Sequence, residues 1–136
     1  MTREIKFRAW DNKGKYWYPA ETIKDFFNYL SEKFAIVADW FNKDAIILEQ
    51  YTGLKDKNGK EIYEGDIVRL SVEDDFKKEY FSYYKHELPL GVHKVTFDNG
   101  AFSICENAEW RFLLGQYRAN EIEVIGNIHE NPELLK

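Results

Sequence analysis

The chain has 136 residues but only one cysteine and three histidines, and these shortages remove whole classes of function. A lone Cys105 can form neither an internal disulfide nor a cysteine-based zinc site. Imidazole can come only from His86, His93 and His129. No two of these stand three or four positions apart, the spacing that puts two ligands on one helical face. No structural metal and no cofactor is expected. Long apolar runs are missing too, none approaching the roughly 20 residues needed to cross a bilayer. Met1-Thr2-Arg3-Glu4 leads into a charged alternating segment without an apolar signal core. The expectation is a soluble cytoplasmic protein with no membrane contact.

An excess of positive charge is also lacking. Nineteen basic residues face 24 acidic ones, a formal net charge of -5. Nucleic-acid binding draws much of its affinity from cations that neutralise phosphates, so the global field works against it. Lys55-Asp56-Lys57 and Lys77-Lys78-Glu79 interleave the two signs, as solvated faces do. What the chain has in plenty is aromatic surface, 4 Trp, 9 Tyr and 10 Phe. Its length suits one domain, or one domain with a substantial insertion.

Along the chain, Glu4 to Trp10 alternates, with Ile5, Phe7 and Ala9 on one side and Lys6 and Arg8 on the other, predicting a half-buried strand. Asp11-Asn12-Lys13-Gly14 is a turn cluster in which Gly14 can take positive φ, and Lys15 to Tyr18 returns as a second strand ended by Pro19. Ile23, Phe26, Phe27, Leu30 and Phe34 then fall at helical spacing, predicting a helix over Thr22 to Lys33. Ala35 to Ala38 and Ala45 to Leu48 read as strands that can pair as a hairpin.

Asn58-Gly59 is a tight-turn dipeptide, and Glu64-Gly65-Asp66 is a second turn feeding the strand Ile67 to Val72. Such a turn is common at the first long strand of SH3-like barrels. Glu73 to Leu90 reads as an insertion, whose Phe76, Tyr80, Tyr83 or Tyr84, and Leu88 share a helical face behind Asp74 and Asp75. Helix is the reading, although so many aromatics would also suit a strand. Val92 to Phe97 and Ala101 to Ile104 form a hairpin about Asn99-Gly100. Glu121 to Ile128 is a further strand, and Asn131-Pro132 caps a terminal turn of helix.

Three blocks carry a resemblance: Ile5-Lys6-Phe7-Arg8-Ala9-Trp10-Asp11; Gln50-Tyr51-Thr52-Gly53-Leu54-Lys55-Asp56 through Ile62-Tyr63-Glu64-Gly65-Asp66-Ile67-Val68; and Val124-Ile125-Gly126-Asn127-Ile128 with Glu130-Asn131-Pro132-Glu133-Leu134-Leu135. Together they resemble the YopX family of bacteriophage and prophage proteins over the full length, with Thr22 to Asn42 and Glu73 to Leu90 as variable parts. The resemblance implies an SH3-like barrel in the C-terminal part and a phage or prophage origin. It implies no reaction and supplies no catalytic residue. The expected fold is mainly β. Residues 1–50 form a β-rich segment with one helix near 22–33, packed on a barrel over residues 51–136 with its insertion near 73–90.

The motif residues have structural reasons to be present. Gly53, Gly59, Gly65, Gly100 and Gly126 suit chain reversal or close backbone approach, and Asp56, Asp66 and Asp98 can accept backbone N–H groups in turns, with Asn99 and Asn131 placed alike. As an acid/base pair, Asp56, Glu64, Asp66 and Asp98 offer carboxylates without a sign that two share a cleft. Ser103 and Cys105 lack the small-residue elbow of a catalytic nucleophile. His129-Glu130-Asn131 reads as a turn and cap. Arg8, Trp10, Lys15 and Trp17 gather around the first turn and are the candidate interaction surface, able to stack on bases or on a partner's side chains.

The expected role is a non-enzymatic interaction module that self-associates and contacts a host or phage protein, since the helical aromatics exceed what one small barrel can bury. Two rivals stand beside it. One is nucleic-acid binding through Arg3, Lys6, Arg8, Lys13 and Lys15 around Trp10 and Trp17. The other is an enzyme acting on a small substrate.

Overall fold

The computed structural model describes residues 4–18, 46–83, 89–104 and 112–136. The helix expected over Thr22 to Lys33 and the strand at Ala35 to Ala38 lie outside the described residues, as do Pro19 and Cys105. The chain divides into two compact units, Met1–Gly53 and Leu54–Lys136. The described residues are mainly β.

In the first unit, β1 (Phe7–Asp11) pairs antiparallel with β2 (Tyr16–Trp17) and with β3 (Ile46–Lys55). Trp10 lies opposite Trp17, and Phe7 through Asp11 run opposite Gln50 through Ile46. The short strand expected at Ala45 to Leu48 is therefore a long one that continues through Tyr51 and Thr52, residues whose aromatic and β-branched side chains suit extended backbone. The alternation expected in β1 needs correcting. Ile5 is 53% exposed, whereas the adjacent Ala9 and Trp10 are both buried, so both faces of the strand are covered at its end. Around the β1–β2 turn, Asp11 Oδ1 accepts the amides of Lys13 at 2.9 Å and Gly14 at 2.8 Å. The left-handed residue is Lys15 at φ 61°, not Gly14. Gly14 serves space instead, because a Cβ there would overlap the Tyr16 ring.

In the second unit, β4 (Glu61–Tyr63) follows the Asn58-Gly59 turn, and β5 (Asp66–Leu70) is the central strand of a sheet. It lies between β6 (Gly91–Lys94) and β9 (Ile122–Asn127), antiparallel to both. A bulge shifts the β5–β9 register between Ile67 and Val68, so Gly126 and Val124 are successive partners. A second sheet pairs β7 (Thr96–Asp98) with β8 (Ala101–Ser103). Asn99 at φ 50° and Gly100 at φ 77° make the reversed-twist turn that matches a two-residue hairpin, as expected. Phe97 faces Phe102 across it, ring centres 5.0 Å apart.

The single strand expected over Val92 to Phe97 is broken at Val95. Its amide donates to Asp66 O and its carbonyl accepts from Gly65 N, both at 2.8 Å, while β6 and β7 pair in different sheets. The chain thus passes from one sheet to the other at one buried valine, a corner of the kind that curls small barrels. Ile62, Val68, Leu70, Val95, Ile104 and Ile122 are central to the core beneath.

The segment from Glu73 contains α1 (Asp75–Tyr83), whose N-terminus is held by Asp74 Oδ1, accepting from Phe76 N at 3.0 Å and Lys77 N at 3.3 Å. Lys85, His86 and Leu88 lie outside the described residues. Two 3-10 turns, Leu114–Gln116 and Ala119–Glu121, precede β9 and carry no periodicity from which they could be read. No helix among the described residues is long and apolar enough to cross a membrane.

Candidate functional site

Most of the turn motifs hold the fold. Asp56 is 3% exposed; its Oδ1 accepts the amides of Asn58 and Lys60, and its Oδ2 that of Val124, all at 2.9 Å. Burial pushes its pKa up, but the backbone donors together outweigh it and leave the carboxyl below its ordinary value. Asp66, also buried, accepts Tyr63 N at 2.8 Å. Glu64 is half-buried in its turn and Asp98 exposed at the hairpin end. Gly53, Gly59, Gly65 and Gly100 all take positive φ. Gly126 does not; a Cβ there would lie 2.6 Å from Asn131 Oδ1. That oxygen accepts Asn127 N at 3.3 Å, so the Asn131 side chain turns back toward β9 and makes no cap bond to the final turn, which opens on Pro132. Asn127 Oδ1 in turn accepts from His129 and Glu130. Ser103 is buried, its hydroxyl 3.1 Å from that of Thr96. Among the described residues, no group of three or more His, Cys, Asp or Glu is placed to hold a metal ion.

Three of the four candidate surface residues come together in the first unit. Arg8 Nε donates to Glu49 Oε1 at 3.0 Å, and its guanidinium lies 4.4 Å from the Trp17 ring centre. Trp17 meets Trp10 edge to face at 4.9 Å. Trp10 is buried and Arg8 and Trp17 half-buried, while Lys15 remains exposed on the turn with its ammonium on Asn12 Oδ1. Glu49, almost fully buried, is the member that sequence reading missed; only the β1–β3 register places it opposite Arg8. Beside the cluster, Tyr18 donates its hydroxyl to Asp11 Oδ2 at 2.8 Å. Burial, and then this bond, hold the phenol pKa far above its usual value.

A second cluster lies in the other unit. Lys77 of α1 donates to Glu121 Oε1 and to Gln116 O, both at 2.7 Å, and sits 5.0 Å over the Tyr117 ring. Glu121 Oε1 also accepts Arg118 N at 2.7 Å. Burial raises the Glu121 pKa, while the Arg118 amide and Lys77 lower it, and the net shift is downward. Next to this pair is an open cleft of about 320 Å³ lined by Ser71, Glu73, Asp74, Arg118, Asn120 and Glu121. Nothing in the spacing of these residues signals the cleft, because the 3-10 turn that brings Arg118, Asn120 and Glu121 to one side leaves no pattern in sequence.

The family model described as YopX protein matches residues 6–136. Among solved structures, protein EF1440 from Enterococcus faecalis is 26% identical, with a TM-score of 0.56 over 99% of this chain and 100% of that one. Protein yopX from Bacillus subtilis is 18% identical, with a TM-score of 0.52 over 96% and 95% of the two chains, a likeness of fold. The comparison with curated proteins returned no match.

Proposed function

The chain belongs to the YopX protein family, and on that footing we propose that it is a non-enzymatic protein-interaction module of phage or prophage origin, working in the host bacterial cytoplasm and self-associating through α1. The observation that carries this reading is the outward aromatic face of that helix. Phe76 is 76% exposed and Tyr80, one turn on, 52% exposed. Exposed aromatics at i and i+4 present the kind of surface that is enriched at protein interfaces. Lys77 is paired with Glu121, so the rest of the helix carries Asp75 and Glu79 against Lys78, a small negative excess beside the net charge of -5 on the whole chain.

The carboxylates that acid/base chemistry would draw on support the same reading, since Asp56 and Asp66 are committed to backbone amides. Nucleic-acid binding is less well supported. Arg8 is engaged by Glu49 and Trp17, and Lys6 lies 3.1 Å from Glu4, so both are already partly neutralised. Multi-angle light scattering on the purified chain tests the proposal. A concentration-dependent dimer that Phe76→Ser converts to monomer supports it, and a monomer at every concentration overturns it.

A further inference from the structure

The cleft beside Glu121 holds an inconsistency in its hydrogen bonding. Glu121 is 7% exposed, and both hydrogen bonds to its carboxylate, from Lys77 and from the Arg118 amide, end on Oε1. Oε2 accepts none from any described residue. A buried carboxylate oxygen without a donor is costly, and one that borders a cleft calls for a donor from outside the chain. The rest of the wall is in keeping. Among the described residues, the Arg118 guanidinium and the Asn120 amide make no side-chain hydrogen bond or ion pair, and both are exposed, although the Arg118 charge is felt by Glu121 across the cleft wall. Glu73 adds a further carboxylate.

The mixture of signs selects the ligand. A simple anion would meet Glu73, Asp74 and Glu121, and a simple cation would meet Arg118. Only a molecule carrying both charges satisfies the two ends together. The volume of about 320 Å³ lies at the small end of ligand sites. We propose that this cleft binds a small zwitterion of the α-amino-acid class, its ammonium donating to Glu121 Oε2 and its carboxylate received by the Arg118 guanidinium and the Asn120 amide. The site does not depend on self-association.

The test is a heteronuclear NMR titration of the intact chain with each of the natural L-α-amino acids, alongside acetate and methylammonium as the two isolated halves. The expected result is a saturable shift of the Ser71 and Arg118 to Glu121 amides with at least one amino acid, and no comparable shift with either half. Arg118→Met, at an exposed position whose side chain makes no hydrogen bond or ion pair among the described residues, should weaken the binding roughly tenfold or more by removing a charge-assisted contact. Absence of saturation with every amino acid overturns the proposal. So does an equal response to acetate alone, or to methylammonium alone, or an affinity unchanged by Arg118→Met.

Discussion

Asp56 and Val124 stand 68 positions apart in sequence, and the carboxylate of one accepts the amide of the other at 2.9 Å. The same carboxylate organises the Asn58-Gly59 turn through its second oxygen. One buried side chain therefore ties the first turn of the second unit to its last strand, beside a backbone bond from Lys57 N to Ile122 O.

Replacing Asp56 by alanine strands three backbone amides. Stranded buried donors cost about 1–3 kcal/mol each when water cannot reach them. With partial rehydration, Asp56→Ala should lose about 3 kcal/mol of unfolding free energy and Asp56→Asn, which keeps one acceptor, about half that. Urea denaturation followed by tryptophan fluorescence measures both. A loss within error of zero for Asp56→Ala would show that the bond to Val124 holds nothing.

Acid should weaken the fold for the same reason. The folded-state pKa values of Asp56 and Glu121 lie below the ordinary 3.8 and 4.5. The native state thus holds its deprotonated carboxylates more tightly than the unfolded chain does. That stabilisation is complete above the ordinary values and is lost as the pH falls through the lower folded-state ones. Urea midpoints should be flat above about pH 5 and fall steadily below about pH 4, with a shallower fall in Asp56→Asn. Equal acid slopes in the two proteins would remove Asp56 from the explanation.

Lys77 anchors α1 to the 3-10 turn at Glu121 over 44 positions of sequence. Removing one partner of a largely buried pair leaves the other charged and unpaired. Lys77→Met should cost about 2 kcal/mol, less than the 3–5 kcal/mol of a fully buried pair because solvent still reaches the ammonium. A double-mutant cycle with Glu121→Gln should return a coupling of about 1 kcal/mol or more. Additive effects would mean that the two side chains are only neighbours.

Gly126 has no room for a methyl group against Asn131. Gly126→Ala should destabilise by about 1–3 kcal/mol through this overlap, and thermal melting would register it. Asn131→Gly in the same background should recover part of the loss, because the side chain that blocks the alanine is gone. No recovery would place the strain elsewhere.

How much of this was legible in the sequence depended on the range of each interaction. The hairpin at Asn99-Gly100 and the turn at Asn58-Gly59 rest on residues next to one another, and both could be read directly. The mainly β fold followed from short apolar and alternating runs. The Arg8–Glu49 pair spans 41 positions, and no local pattern announces that a glutamate will face that arginine. The break at Val95 was hidden because a strand that changes sheet keeps the composition of a continuous one. Lys15 in the left-handed region escaped notice because the adjacent glycine offered a simpler host for positive φ. The cleft at Glu121 was invisible for a related reason, since its walls come from the stretches at Ser71–Asp74 and Arg118–Glu121, joined only by folding.

The central claim is that the exposed face of α1 is covered by a second copy of the chain. Amide hydrogen exchange followed as a function of protein concentration addresses it at the residues concerned. Protection over residues 75–83 should rise with concentration while β5 and β9 stay unchanged, and Phe76→Ser should abolish the rise. Exchange in α1 that is the same at all concentrations would contradict the account.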